Sequence, residues 1–392
     1  MRARDPIRRT HGGRASGPTR CRWLLPAAAL GLLLAATDAA GKGARTTGGA
    51  GSGPTAEPDS GAVFRVEELA DGVWAALVVR RPAAYAFANS LVVESPEGVL
   101  VVDTQQSPEA ARALLELVRA RTDAPVRWVV NTHWHGDHVN GNQVYRDAFP
   151  DVHFVAHVAT REEMLTTGRA DREEEISNLP TSIEARRGWL ATGRGPDGSE
   201  LTPDQLDAVR YSVELREAYL GELRSLRETP PDVTFRDRLR LRLGRRTVVL
   251  RHLGPAHTRG DIVVQVPGSG VVAVGDLLEE GPLWLEGADV PGWASALSEL
   301  AKLDARVFLP SHGGVQRDDG LLRLQASFLG SAVATARRAR AAGRSEKETV
   351  AEAVDRLERF RSRLAGLGLD GEAFEEHARS AVVEAYRDLE GG

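Results

Sequence analysis

Within Thr132-His133-Trp134-His135-Gly136-Asp137-His138, four side chains able to ligate a metal fall within six residues, directly after the apolar run at 126–130. In extended backbone, positions two apart point the same way, so His133 and His135 can close on one ion. Gly136 lets the chain turn, which allows Asp137 and His138 to face a neighbouring position. Neutral imidazoles and a carboxylate suit zinc, and they are also compatible with iron or manganese. A lone histidine in a polar loop would imply nothing; four ligands at this spacing imply a metal site.

Three later motifs supply what such a site would still need. Gly254-Pro255-Ala256-His257-Thr258-Arg259-Gly260-Asp261 sets a histidine in a turn between apolar runs. Val271-Val272-Ala273-Val274-Gly275-Asp276 ends an apolar strand on a carboxylate, and Pro310-Ser311-His312-Gly313-Gly314 ends another on a histidine. Each candidate sits at a strand end beside glycine, where loops gather over a sheet edge. Each is weak alone, and the ordered set is specific.

Over residues 63–315 the chain resembles the metallo-β-lactamase fold superfamily of hydrolases, through Asp103, the His-x-His-x-Asp-His run, His257, Asp276 and His312. The resemblance implies an α/β fold, a four-layer αββα sandwich of two mixed sheets. It implies that His133, His135 and His257 hold one metal, that Asp137, His138 and His312 hold a second, and that Asp276 bridges them. Asp103 would tie the first metal loop in place. Two zinc ions are the expected cofactors. The implied activity is hydrolysis of an ester, lactone, lactam or thioester by a metal-bridging hydroxide, with Asp137 orienting it and relaying its proton. A carboxylate at 276 matches the glyoxalase II-like, lactonase and general hydrolase branches rather than the β-lactamases that place a cysteine there. The alternative is a mononuclear iron oxygenase acting on persulfides, which would need His133, His135, His257 and Asp276 but not the second ligand group.

The elements that must position these residues follow from pattern. Segments 63–69, 73–79, 91–94 and 99–102 read as strands, and Pro108–Arg121 as a helix with Leu114, Leu117 and Val118 on one side. Strand 152–156 and a helix from Ala159 follow. Leu239, Leu241 and Leu243 alternate with Arg238, Arg240 and Arg242, a strand with one wet face, and Gly244 turns it into a hairpin with 247–250. Between His138 and His257 lie 118 residues, more than the fold requires. The surplus, about 161–231, reads as a charged helical insertion, and 319–392 as a helical C-terminal extension. The insertion could pack on the main domain, cover the site or meet a second subunit; a homodimer is compatible with either helical region. Loops 81–89 and 281–293, carrying Tyr85, Phe87, Trp284 and Trp293, are candidates for a substrate rim.

Composition bounds the remaining questions. A chain of 392 residues, 42% apolar, can bury a large core. Cys21 is the one cysteine, so there is neither an intramolecular disulfide nor a thiolate site. Residues 1–40 carry seven Arg against Asp5 and Asp38, a charge of +5; with −5 on the whole chain, the remainder carries −10. An acidic body argues against a nucleic-acid partner and leaves a small-molecule substrate. The basic stretch before the 14 apolar residues 23–36, followed by small residues to Ala40, reads as an export signal, short for a membrane span, which needs about 20 residues; a disordered tail and an uncleaved membrane anchor are the alternatives. Residues 41–62 read as a flexible linker, 63–318 as the metallo-hydrolase domain, and the mature protein as periplasmic or secreted without a membrane partner.

Overall fold

The structure is a computed structural model that describes residues 63–79 and 87–391. The expected export signal, the linker and most of the 81–89 loop lie outside the described residues.

The first sheet has seven strands in sequential order: β1 (Phe64–Ala70), β2 (Val73–Val78), β3 (Ser90–Ser95), β4 (Gly98–Val102), β5 (Val126–Val130), β6 (His153–His157) and β7 (Val233–Phe235). β1 to β4 form an antiparallel meander, and β4 to β7 run parallel. Parallel pairing demands crossovers, supplied by α1 (Pro108–Arg121) between β4 and β5 and by the short helices α2 (Gly136–Val139) and α3 (Asn142–Ala148) between β5 and β6. α1 begins where the sequence pattern places it. The Ser107 hydroxyl accepts from the Ala110 amide, Pro108 occupies the first turn, and Leu114, Leu115 and Val118 are buried.

Helices α4 (Val158–Leu165), α5 (Thr167–Thr192) and α6 (Pro203–Ser225) lie between β6 and β7. α5 ends on Gly193, whose φ of 67° is a left-handed cap. α6 starts with a capping box between Thr202 and Gln205. The two pack on each other through a small core of Leu179, Ile183, Val213, Tyr219, Leu220 and Leu223.

The second sheet has the order β12-β11-β10-β9-β8, with β8 (Arg238–Leu243), β9 (Arg246–His252), β10 (Ile262–Val266), β11 (Val271–Glu279) and β12 (Val307–His312). It is antiparallel except for the β11–β12 pair. α7 (Val290–Leu300) crosses between β11 and β12. After β12 come α8 (Gly320–Ala341), α9 (Glu346–Ala351), α10 (Ala353–Leu357), α11 (Arg361–Ala365) and α12 (Gly371–Gly391).

Three apolar layers join these parts. Leu91, Leu100, Val130, Leu250, Val264 and Leu309 interlock between the sheets. Trp74, Val101, Val129 and Phe154 on the outer face of the first sheet meet α1. On the outer face of the second sheet, Val263, Val272 and Phe308 join α7 and the C-terminal helices in one core, with Trp293, Phe328 and Phe374 fully buried. This is the four-layer αββα sandwich that the resemblance implies. The C-terminal helices are part of its outer layer rather than a separately packed unit.

Candidate metal centre

The expected ligands converge from four segments at one edge of the two sheets. His133 and His135 follow β5, Asp137 and His138 stand on α2, His257 follows β9, Asp276 is within β11, and His312 ends β12. Their ligand atoms form two groups, His133, His135, His257 and Asp276 in one and Asp137, His138 and His312 in the other. Within each group these atoms all lie within 4.8 Å of one another.

In the first group His135 Nδ1 lies 3.1 Å from His133 Nε2 and 2.9 Å from His257 Nε2. Asp276 Oδ2 is 3.5 Å from His133 Nε2 and 3.6 Å from His257 Nε2. In the second, Asp137 Oδ2 is 3.4 Å from His138 Nε2 and 3.3 Å from His312 Nε2. The same Asp276 Oδ2 is 3.4 Å from each of those two nitrogens. Bonds of about 2.0–2.2 Å at tetrahedral angles separate ligand atoms by about 3.3–3.6 Å, so the spacing suits a cation in each group.

Protons alone do not account for this packing. The Nδ1 atoms of His133, His257 and His312 have partners of their own. Thr132 Oγ1 lies 3.1 Å from the first, and the Trp284 and Phe87 carbonyls accept from the second and third at 3.3 and 3.1 Å. The Nε2 atoms of these rings therefore aim into the cluster. His138 Nε2 and Asp276 Oδ1 are buried and have no hydrogen-bond partner, a costly arrangement that a cation relieves. The residues present fit divalent metal.

Charge differs between the groups. Burial, then the neighbouring His138 charge, keeps His133 well below the usual imidazole range. Burial and His257 bring His135 down to about 3, and burial lowers His257 as well. Burial also opposes charge on His138, yet Asp137, Asp276 and Asp103 hold it well above its usual value. Against the same burial, Asp276 and Asp137 push His312 up to about 10. Burial disfavours charge on the carboxylates too, but His138 and His312 hold Asp137 and Asp276 well below the usual range.

Asp103 does what the resemblance implies. Its Oδ1 accepts from the Thr132 amide at 2.8 Å, and its Oδ2 accepts from Thr132 Oγ1 at 2.7 Å and His138 Nδ1 at 2.8 Å. One buried carboxylate thus fixes both the start of the metal loop and the ring of His138. Its φ is 60°, and that of Gln105 is 80°. Such backbone costs about 1–3 kcal/mol for a residue other than glycine. Gln105 Nε2 holds the turn by donating to the Ala88 carbonyl and Ser90 Oγ. Gly141 lets this loop lie directly on the metal helix, since a Cβ there would sit 1.8 Å from the Thr104 carbonyl oxygen.

Several supporting residues escape a reading of the sequence. Asp261 accepts from the amide and hydroxyl of Thr258 and so clamps the His257 turn; its position four residues after the histidine was the available signal. Thr104, Asn131 and Asn142 form a buried network beneath His138, assembled from three separate segments. One aromatic expectation needs revision. Trp293 is not at a rim: it is fully buried in the outer core, and its Nε1 donates to the Leu277 carbonyl. The apolar positions of α7 carry it inward with Leu297 and Leu300. Trp284 is half-buried and meets the site through its carbonyl. Of the other loop, Phe87, Ala88 and Asn89 are described; Asn89 Nδ2 donates to the carbonyls of Pro310 and Gly313 and braces the His312 turn.

The model of the metallo-beta-lactamase superfamily matches residues 85–312. The chain is 25% identical over 247 residues to a linear primary-alkylsulfatase of Pseudomonas sp. (strain ATCC 19151). That match covers 59% of this chain and 43% of the relative, less than half of its length. Similar solved structures include a metallo-beta-lactamase from Pontibacter korlensis, with a TM-score of 0.46 and 21% identity, covering 68% of this chain and 99% of that one. Another is the metallo-beta-lactamase FIM-1 from Pseudomonas aeruginosa in its mono-zinc form, with a TM-score of 0.47 and 20% identity over 69% and 96% of the two chains.

Proposed function

The chain belongs to the metallo-β-lactamase superfamily, and we propose that it is a dinuclear metal-dependent hydrolase of ester-type bonds. The observation that carries this reading is Asp276 Oδ2, a single carboxylate oxygen 3.4–3.6 Å from donor nitrogens of both ligand groups. An oxygen so placed is suited to bridge two cations. His133, His135 and His257 would hold one, Asp137, His138 and His312 the other, with zinc the metal that this donor set favours. When bound, such a pair supplies Lewis acidity, which lowers the pKa of a water and withdraws charge from the bond to be cut.

The chain's own residues then have defined parts. Asp137, at the boundary of the second group, orients the attacking water and takes up its proton. Asp103 keeps His138 in one tautomer and one orientation. His312, with 20% of its side chain exposed, marks the open side of the cluster where substrate would enter. An intact second group has no part to play in a one-metal oxygenase, which is why hydrolysis is the preferred reading.

The bond type belongs to the same proposal. Carboxylic esters, lactones, lactams and thioesters all suit this chemistry, and the alkylsulfatase relative adds sulfate esters. Export through residues 1–40 is also part of it and is supported by the amino-acid sequence. The test is a panel of a primary alkyl sulfate, a chromogenic acyl ester, a lactone and a β-lactam. Each is assayed with protein stripped by chelator and then given back zinc, manganese or iron. Turnover restored by a divalent metal on at least one substrate is expected. Oxygen consumption with a persulfide, and no hydrolysis, would replace this reading with the oxygenase.

A further inference from the structure

On the outer face of the second sheet, at its free edge, lies a group of arginines that the metal centre does not use. Arg238, Arg240 and Arg242 alternate along β8 and are all exposed. Their cross-strand partners on β9 are Arg251, Val249 and Thr247, so Arg251 shares their face. Arg245 is exposed at the hairpin turn. Among the described residues none of these five guanidinium groups is in an ion pair, whereas exposed arginines elsewhere commonly are. Arg169 pairs with Glu228, Arg187 with Glu217 and Arg387 with Glu346. Arg251 reaches Gln265 Oε1 instead. Burial, then the charges of Arg238 and Arg240, pulls its pKa below the usual value.

Like charges directly opposite one another destabilise a strand pair. One or two charges would be enough to guard a sheet edge against pairing with another chain; the Arg238–Arg251 pair goes beyond that need. Against the sequence-based expectation of no membrane partner, we propose that this face is a docking surface for an anionic lipid bilayer. Alternate residues on a strand are spaced about 6.6–6.8 Å apart, so Arg238, Arg240 and Arg242 form a straight row that lies flat on a plane of negative headgroups. The same face offers Thr247 and Val249 but no aromatic side chain to stack on bases, which disfavours a single-stranded nucleic acid. It also offers no large apolar side chain to insert, so the attachment is peripheral and reversed by salt. With the chain at −5 overall, an anionic plane repels most of the body and selects this face.

The experiment is co-sedimentation of the full chain with phosphatidylcholine vesicles, with and without about one third phosphatidylglycerol, at low and high salt. It compares the parent with Arg238→Gln/Arg240→Gln/Arg242→Gln and with a control of equal charge, Arg224→Gln/Arg337→Gln/Arg363→Gln. All three carry the same N-terminus, so any contribution from residues 1–40 cancels. Each arginine near an anionic surface is worth about fivefold in partition, so the stripe variant should bind anionic vesicles roughly a hundredfold more weakly. The control should stay near the parent, and high salt should abolish the difference. Circular dichroism and a melting temperature no lower than the parent's would show that the variant is folded, since loss of the Arg238–Arg251 repulsion can only help the strand pair. Equal binding by parent and stripe variant overturns the proposal. So does an arginine-dependent affinity for a single-stranded oligonucleotide without affinity for vesicles.

Discussion

The two ligand groups share one carboxylate oxygen but are built differently. The first takes three neutral histidines from loops of both sheets, each held deprotonated by burial. The second takes two adjacent residues of α2 and a histidine at the open side, and it carries charge in both signs. A group of neutral nitrogens is ready for a cation. One whose histidines are protonated against buried carboxylates must release protons before it can bind. The first group should therefore fill first and hold harder, with the second as the adjustable half of the site.

The largest expected effect comes from removing what the groups share. Asp276→Ala should lower turnover by about three orders of magnitude or more, and the second metal should be lost first because two cations would repel without the carboxylate between them. Metal analysis of the purified variant should find about one ion per chain, with the pH–rate profile moved upward. Two retained ions and an unmoved profile would mean that Asp276 does not bridge.

Smaller effects separate the halves. Asp103→Asn leaves Thr132 a partner but weakens the hold on His138, so affinity at the second group should drop about 10–100-fold, the usual cost of losing such a supporting contact. Competition with a chromogenic chelator should show the first group little changed. If both affinities dropped together, Asp103 would be positioning the whole loop. Gly141→Ala, with its clash against the Thr104 carbonyl, should have that broader effect.

Protonation gives the finest comparison. With His135 brought down to about 3, and His133 and His257 lowered in the same direction, metal entering the first group at pH 7 displaces no proton from these histidines. His312, raised to about 10, is protonated at pH 7, and His138 is raised in the same direction. The sign follows directly: affinity of the second group should rise with pH through the neutral range, while that of the first stays level. Calorimetric titration in two buffers of different ionisation enthalpy should show proton release only in the second binding phase. Equal release in both phases would erase the distinction.

How far these features could be read beforehand varied with their physical origin. The ligands were legible because their motifs stand near strand ends beside glycine, in a fixed order, although β11 runs on past Asp276 to Glu279 and Asp137 and His138 stand on α2; Asp103 was legible through the resemblance. Strand β4 followed from its apolar run, and helix α1 from Leu114, Leu117 and Val118 on one side with Pro108 near its start; the Ser107 cap appeared only in the fold. Contacts between distant segments left no local trace, and so the Thr104–Asn131–Asn142 network appeared only in the fold. Trp293 misled because a tryptophan after a glycine-rich loop resembles a rim residue, while its burial is decided by the later packing of α7 on the C-terminal helices. Those helices share one core with the second sheet, whereas α5 and α6 pair mainly with each other. Both stretches are amphipathic helices in sequence, and the choice between these arrangements rests on which partner surface is apolar.

The central claim is that one chain holds two metals, and it is tested most directly by counting them. Protein reconstituted with excess zinc, freed of unbound metal and measured by elemental mass spectrometry, should carry two ions per chain, and His312→Ala should carry one. One ion in both proteins, with full hydrolytic activity in His312→Ala, would contradict the two-metal account.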